Sequence, residues 1–252
     1  MKSVKAKIRA ALKTLYLKLP EEIIRLRKSY VYDKDAFASF ISSKVGDTTN
    51  IFDDIYKINM WHTEESVSGG GSTIDATKTV REELPQIIEK YRIESMLDVP
   101  CGDYNWMKLV DLKCNYIGGD IVSEIIESNQ QLYASDKVNF QVLDITKDDL
   151  PKVDMIFCKD CLLHLSYENV AKALNNFKKS GSKYLLVSNY SRTWRNHDIH
   201  NGDYRPLNIR RKPFSLPKPI YRFREKSVAE GVESDKYMYL YLMDSIPDII
   251  LS

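Results

Sequence analysis

Apolar residues recur at helical spacing through residues 3–29, at Val4, Ile8, Ala11, Leu12, Leu15, Leu19, Ile23 and Leu26. Pro20 divides this stretch into two predicted helices. Residues 35–60 continue as helix and loop. From residue 93 the pattern changes: short apolar runs alternate with amphipathic stretches. Strands are predicted at 95–99, 115–118, 138–143, 153–158, 184–188 and 237–243. Helices are predicted at 74–91, 121–134 and 167–179, with a short one starting at Trp106. Strands alternating with helices predict an α/β fold, a doubly wound, mostly parallel sheet of about seven strands with right-handed crossovers.

Two segments break the alternation. Trp61 to Thr73 contains three consecutive glycines between serines, a turn whose backbone amides can approach a ligand; Ser72 or Thr73 is the expected N-cap of the next helix. Taken alone, such a run reads as a flexible linker. Residues 192–234 are rich in Pro, Arg and Asn and lack long periodicity, which predicts an insertion or lid. The organisation expected is an N-terminal helical extension with a covering loop (1–73) and an α/β domain (74–252) carrying a lid (191–235).

The chain has 252 residues, 43% of them hydrophobic, with formal net charge +2, so no polyanionic partner such as nucleic acid is indicated. The charge is uneven. Lys2, Lys5, Lys7, Arg9, Lys13 and Lys18 make the first helix basic, fit to pack on the domain or on a second subunit, or to lie on an anionic membrane surface. No apolar run approaches a membrane span, and Lys13 and Lys18 interrupt what a secretory leader would need. Four cysteines suit a reducing, cytoplasmic setting, and Cys158-Lys-Asp-Cys161 lacks the second ligand pair of a zinc site.

In open α/β sheets ligands bind beyond the carboxyl ends of the strands. Carboxylates stand at three such ends: Asp98 before Pro100 and Gly102, Asp120 about twenty residues on, and Asp144 before Ile145. An acid at the second end can accept both hydroxyls of a ribose. Gly102 is not followed by the remaining glycines of a dinucleotide-binding loop, so a pyrophosphate would lack its usual backbone cradle.

Leu97-Asp-Val-Pro-Cys-Gly102, Tyr116-Ile-Gly-Gly-Asp-Ile121, Leu143-Asp-Ile145 and Asp154-Met-Ile-Phe-Cys158, in this order, resemble the four motifs of the class I S-adenosylmethionine-dependent methyltransferases, with Pro100 replacing a usual glycine. The resemblance implies S-adenosyl-L-methionine as cofactor. It places Asp98 and Gly102 at the methionine portion, Asp120 at the ribose, and Asp144 with Ile145 at the adenine, with Pro100, Ile121 and Lys159 completing the set.

The outer segments resemble a narrower group, bacterial methyltransferases encoded with capsule and surface-polysaccharide genes. The matching residues are Trp61-His62, Glu65 to Thr73, Asn196-His-Asp-Ile199, and Gly202-Asp-Tyr-Arg-Pro-Leu-Asn208. This resemblance turns the glycine loop into a cofactor cover, with Trp61, Ser66, Gly70, Ser72 and Thr73 as contacts. It also implies O-methylation of a sugar, free or nucleotide-linked.

An unactivated hydroxyl needs a positioned base. His164, just past the fourth strand, is the first candidate, with Asp160 orienting it or touching substrate; His62 and His197 are weaker candidates. Asn189, Tyr190, Arg192, Trp194, Asp198 and Arg205 are the expected substrate contacts, arginine for phosphate and aromatics for stacking. No metal is assigned, although Asp160 with Asn189 offers oxygen ligands for Mg2+. The alternatives are a phosphate-derived group of a capsule precursor, nucleic acid or protein as acceptor, and a non-catalytic cofactor-binding protein.

Overall fold

The computed structural model describes residues 48–57, 59–61, 64–225 and 235–251. The predicted helices over 3–29, His62, and the end of the predicted lid lie outside them. Chain order is α1 (Thr48–Lys57), α2 (Lys78–Tyr91), β1 (Ser95–Asp98), β2 (Asn115–Asp120), α3 (Ser123–Tyr133), β3 (Val138–Val142), β4 (Met155–Cys158), α4 (Tyr167–Lys179), β5 (Tyr184–Tyr190), β6 (Tyr221–Arg224) and β7 (Lys236–Leu242).

The described strands form one seven-stranded sheet in the order β3-β2-β1-β4-β5-β7-β6. β1 to β5 pair in parallel, whereas β7 runs antiparallel to both β5 and β6. The order reverses between β1 and β4, so the crevice for a ligand opens at the carboxyl ends of those strands.

The near-continuous apolar strands follow from burial on both faces. Successive residues point to opposite sides, and each side has its own core. Leu97, Ile156, Leu185 and Tyr241 pack on one face with Val170, Leu174 and Phe177 of α4. Met96, Phe157, Leu186 and Leu240 pack on the other with Val80, Leu84 and Ile87 of α2. Both helices bury one stripe. α2 ends at Arg92, whose left-handed φ of 53° lets its backbone N–H cap the last turn, and Ser166 caps α4 by accepting from the Asn169 N–H at 3.3 Å.

The structure differs from the sequence expectation at three places. α2 begins at Lys78 rather than 74, because residues 73–77 form a separate turn in which Thr73 Oγ1 accepts the Ala76 N–H. The segment at Trp106 is a single 3-10 turn, Met107–Leu109. Finally, the region read as irregular contains β6, which closes the sheet edge against β7. No helix among the described residues is long and apolar enough to cross a membrane.

Candidate functional site

The loop after β1 is fastened from two sides. Asp120, buried at the end of β2, accepts the Gly102 N–H at 3.0 Å on one carboxylate oxygen and the Val122 N–H at 3.1 Å on the other. Asn129 of α3 donates to the Gly102 carbonyl at 2.7 Å. The Val99–Pro100 bond is cis, and Gly102 takes a φ of +55°. Burial raises the Asp120 carboxyl to about 6, against backbone hydrogen bonds that pull it down. Asp98, equally buried, accepts the Tyr116 hydroxyl at 2.7 Å, and burial pushes its carboxyl up to about 8.

The glycine loop is no loose linker. Ser66 Oγ and the Val67 N–H both donate to Asp103, at 3.0 Å each, and the Asp103 N–H donates to Ser68 Oγ at 3.2 Å. A Cβ on Gly102 would stand 2.1 Å from Ser68 Oγ, so this glycine admits the loop itself. Farther along, Lys159 Nζ reaches the Gly71 carbonyl at 2.8 Å. A Cβ on Gly71 would stand 2.8 Å from Asp160 Oδ2. Gly69, at φ +86°, lies against Trp61. The loop thus spans from the end of β1 to the end of β4. Ser66 is buried in its bond to Asp103, and Thr73 Oγ1 is engaged within its own turn, donating to the Gly70 carbonyl at 3.1 Å.

At the end of β4, Asp160 has a left-handed φ of 55° and its N–H donates to Ser188 Oγ. Its carboxylate binds Lys159 at 2.6 Å and Lys236, and both lysines also face Glu225, at 3.6 and 3.2 Å. Burial works to raise the Asp160 carboxyl, but the two ammonium groups prevail and hold it well below the usual carboxylate range. Asp160 thus bonds the two lysines and Ser188 and not His164, and the Lys159 ammonium is ringed by the Gly71 carbonyl, Asp160 and Glu225.

His164 is oriented from elsewhere. Its Nδ1 lies 2.8 Å from the Asp203 carbonyl. A carbonyl only accepts, so Nδ1 carries the proton and Nε2 the lone pair. The ring contacts Trp61, at 5.3 Å, and Tyr204, at 5.9 Å, and Tyr204 OH meets Tyr190 OH at 3.4 Å. Burial lowers the His164 pKa from 6.5, against the Asp203 carbonyl and the Asp160 charge. The imidazole is therefore neutral at neutral pH.

Several other expected contact residues also have partners within the protein. Asp144 turns one oxygen to the Thr146 N–H and hydroxyl, at 2.9 and 2.6 Å, and the other to Lys147 at 3.3 Å, so its carboxylate builds the turn after β3. Ile145 is buried in the core, and Ile121 is half-buried beside Asp120. Asn189 is fully buried and accepts the Ile209 N–H at 2.9 Å, tying the lid to β5, while the Asp160 carboxylate is taken by the two lysines. Among the described residues no group of three or more His, Cys, Asp or Glu is placed to hold a metal. Asp198 accepts the Tyr167 and Ile199 N–H groups at the start of α4. Arg205 is fully buried against the Tyr167 ring, donating to the Leu165 carbonyl at 2.5 Å. Arg192, Trp194 and Arg195 remain exposed on the lid. Trp194 is 81% exposed, with the Arg211 guanidinium 4.8 Å from its ring. Cys158 and Cys161 are free thiols.

Asp103, Asp203, Glu225 and Lys236 were not singled out in the sequence. Asp103 directly follows the first motif and was discoverable there. Asp203 acts through its backbone carbonyl, which no side-chain pattern reveals. Glu225 and Lys236 flank the β6–β7 connection, and only the sheet order brings them to Asp160.

No family model matches the chain. The N-methyltransferase NodS from Bradyrhizobium japonicum WM9, solved in complex with S-adenosyl-L-homocysteine, superposes with a TM-score of 0.55 at 11% identity, covering 78% of this chain and 98% of that one. The methyltransferase domain of bacterial CtHen1-CN gives a TM-score of 0.50 at 11% identity, covering 66% and 99%. The fold is that of the class I methyltransferases. Among curated proteins, the phosphoethanolamine N-methyltransferase of Plasmodium falciparum (isolate 3D7) is 29% identical over 139 residues, 52% of this chain and 49% of that protein. The chain thus spans about half the length of this curated methyltransferase.

Proposed function

We propose that the protein is an S-adenosyl-L-methionine-dependent methyltransferase that uses His164 as base on the hydroxyl of a small polar acceptor, a sugar or nucleotide-linked sugar. The residues present fit that cofactor. Asp120 is a buried carboxylate at the second strand end that accepts from the Gly102, Ile121 and Val122 N–H groups, and the lone-pair capacity of two carboxylate oxygens exceeds these three bonds, which leaves room for a ribose hydroxyl. Trp61 Nε1 is a buried donor without a partner in the covering loop. A pyrophosphate cradle is lacking, which suits a cofactor that has none.

When bound, S-adenosylmethionine supplies an electrophilic methyl group on its sulfonium. This chain's residues do the rest. Asp120 and the half-buried Ile121 hold the nucleoside, and the loop from Ser66 to Thr73, anchored on Asp103 and Lys159, excludes water from the methionine end. His164 Nε2 takes the acceptor proton while the Asp203 carbonyl keeps the ring in the required tautomer. Tyr204 and Tyr190 offer ring faces and hydroxyls to the acceptor. On the exposed lid, the Arg211 guanidinium lies 4.8 Å from the Trp194 ring, a pair of residue types suited to a nucleotide's base and phosphate.

The observation that carries this reading is the His164 arrangement, a neutral imidazole with one nitrogen tethered and its ring in contact with Trp61 and Tyr204. His164→Gln should bind S-adenosylmethionine in calorimetry as the wild type does, and lose about 100-fold or more in turnover, the usual contribution of a general base. Near-normal turnover would sink the assignment. A second reading rests on the likeness to the phosphoethanolamine N-methyltransferase: an amine acceptor, from which His164 would equally remove a proton. Mass spectrometry of nucleotide-sugars and of phosphorylated amines after incubation, each scored for one added methylene, separates the two.

A further inference from the structure

The lid segment 202–205 wraps the turn that carries His164. The Gly202 N–H donates to the His164 carbonyl at 2.7 Å, and the Arg205 N–H to the Leu163 carbonyl at 3.1 Å. Arg205 Nη1 donates to the Leu165 carbonyl at 2.5 Å, and the Asp203 carbonyl holds His164 Nδ1 at 2.8 Å. Four hydrogen bonds thus join three lid residues, Gly202, Asp203 and Arg205, to three consecutive residues of the turn.

The guanidinium at the centre of this clamp is anomalous. Arg205 is fully buried, yet its Nε and Nη2 are buried without hydrogen-bond partners. No carboxylate among the described residues forms a salt bridge with it, and its remaining contact is the Tyr167 ring at 5.3 Å. Burying a charge without a counter-ion is costly, and a methionine of similar length would fill the space without that cost. Such a cost is tolerated where the charge serves a site. The charged and titratable groups facing His164 are Asp160 from the β4 loop, with Asp203, Tyr204 and Arg205 from the lid; Trp61 covers the ring from the glycine loop.

We propose that Arg205 is a positioning residue, whose guanidinium holds the 162–165 turn and sets a fixed positive charge beside His164. The inference rests on His164 being the base, and it assigns Arg205 away from substrate. The Arg205 charge opposes protonation of the imidazole, whereas Asp160 and Asp203 favour it. Losing Arg205 therefore removes the opposing positive charge and raises the His164 midpoint, so the base protonates at a pH where the wild type is still neutral.

The test uses the full chain without ligands, 15N-labelled at histidine, with His164→Gln identifying the His164 signals. Arg205→Met removes charge and donors, Arg205→Gln removes the charge but keeps a donor, and Arg205→Lys keeps the charge. The His164 midpoint should rise by about one pH unit in the Met and Gln variants, the low end of what one neighbouring charge produces, and stay near wild type in the Lys variant. The acidic limb of kcat/KM should move with it. If the Met variant fails to fold, the Gln and Lys pair decides the matter. An unchanged midpoint in the Gln variant would overturn the proposal, as would an equal rise in the Lys variant. Should the midpoints move as expected while His164→Gln turns over normally, the base assignment falls and the electrostatic role of Arg205 stands.

Discussion

Gly102→Ala tests the claim that the glycine loop is a built part of the site. Two costs follow from the structure. Gly102 has a φ of +55°, and an L-residue there costs about 1 kcal/mol or somewhat more. The new methyl would also stand 2.1 Å from Ser68 Oγ and 3.0 Å from its Cβ, so rotating the hydroxyl away is insufficient and the loop must move. That movement breaks the bond from the Asp103 N–H to Ser68 Oγ, worth about 1 kcal/mol net. The sum is about 2–3 kcal/mol.

A double-mutant cycle separates the two costs. Ser68→Gly removes the obstruction and the hydroxyl together, so in that background Gly102→Ala retains only its backbone cost. The pair should be less destabilising than the sum of the singles by about 1 kcal/mol, a coupling expected only of residues in contact. Urea unfolding followed by circular dichroism measures each corner, and calorimetry should show weaker S-adenosylmethionine binding for Gly102→Ala. Wild-type stability of Gly102→Ala, or strict additivity in the cycle, would refute the close approach of loop and strand end.

Three further outcomes are expected. Because burial raises Asp120 to about 6, cofactor affinity should climb as pH rises from 5 to 7 and then level off, since only the ionised carboxylate accepts fully from a diol; Asp120→Asn should flatten the profile and lower affinity about 10- to 100-fold, the worth of a charged hydrogen bond. The unliganded protein should show the opposite trend from this group: a folded pKa above the unfolded 3.8 means its stability contribution declines as pH rises from 3.8 to about 6, which denaturation at several pH values checks against Asp120→Asn. Trp194→Ala should leave the melting temperature within a degree or two, as its ring is 81% exposed, while raising KM for a nucleotide-linked acceptor; an unchanged KM would remove Trp194 from the acceptor site.

Much of the sheet was legible because parallel strands buried on both faces leave apolar runs such as Met155–Cys158 and Tyr184–Val187, bounded by helices with one apolar stripe. Tyr221–Arg224 was not, since an edge strand of four residues alternating aromatics with arginines lacks that signature. At the site, Asp98 and Asp120 were visible because a carboxylate at a strand end is a local signal. Asp144 was visible for the same reason, but its bonds to Thr146, two residues on, were not, because spacing alone does not say which donors its oxygens take. Asp160 and Arg205 show the other limit. Their surroundings come from Lys236, Glu225 and Leu165, residues whose nearness depends on the order of β5, β7 and β6 and on the path of the lid.

The division of labour between sheet and covering segments follows from this geometry. The strand ends provide acids that many α/β proteins could share, and Asp120 alone does not select an acceptor. What is particular here is that two segments remote in sequence meet on one imidazole: Trp61, ahead of the glycine loop, and Tyr204 of the lid both contact the His164 ring. The same lid segment sets the tautomer of that ring through a backbone carbonyl. A backbone contact constrains the path of residues 202–205, while the Asp203 carboxylate and the Tyr204 ring also bear on the imidazole, so substitutions there would reach the proposed base. Trp194, exposed on the lid and without a contact to that ring, is the position where a change of acceptor would leave the proposed base undisturbed.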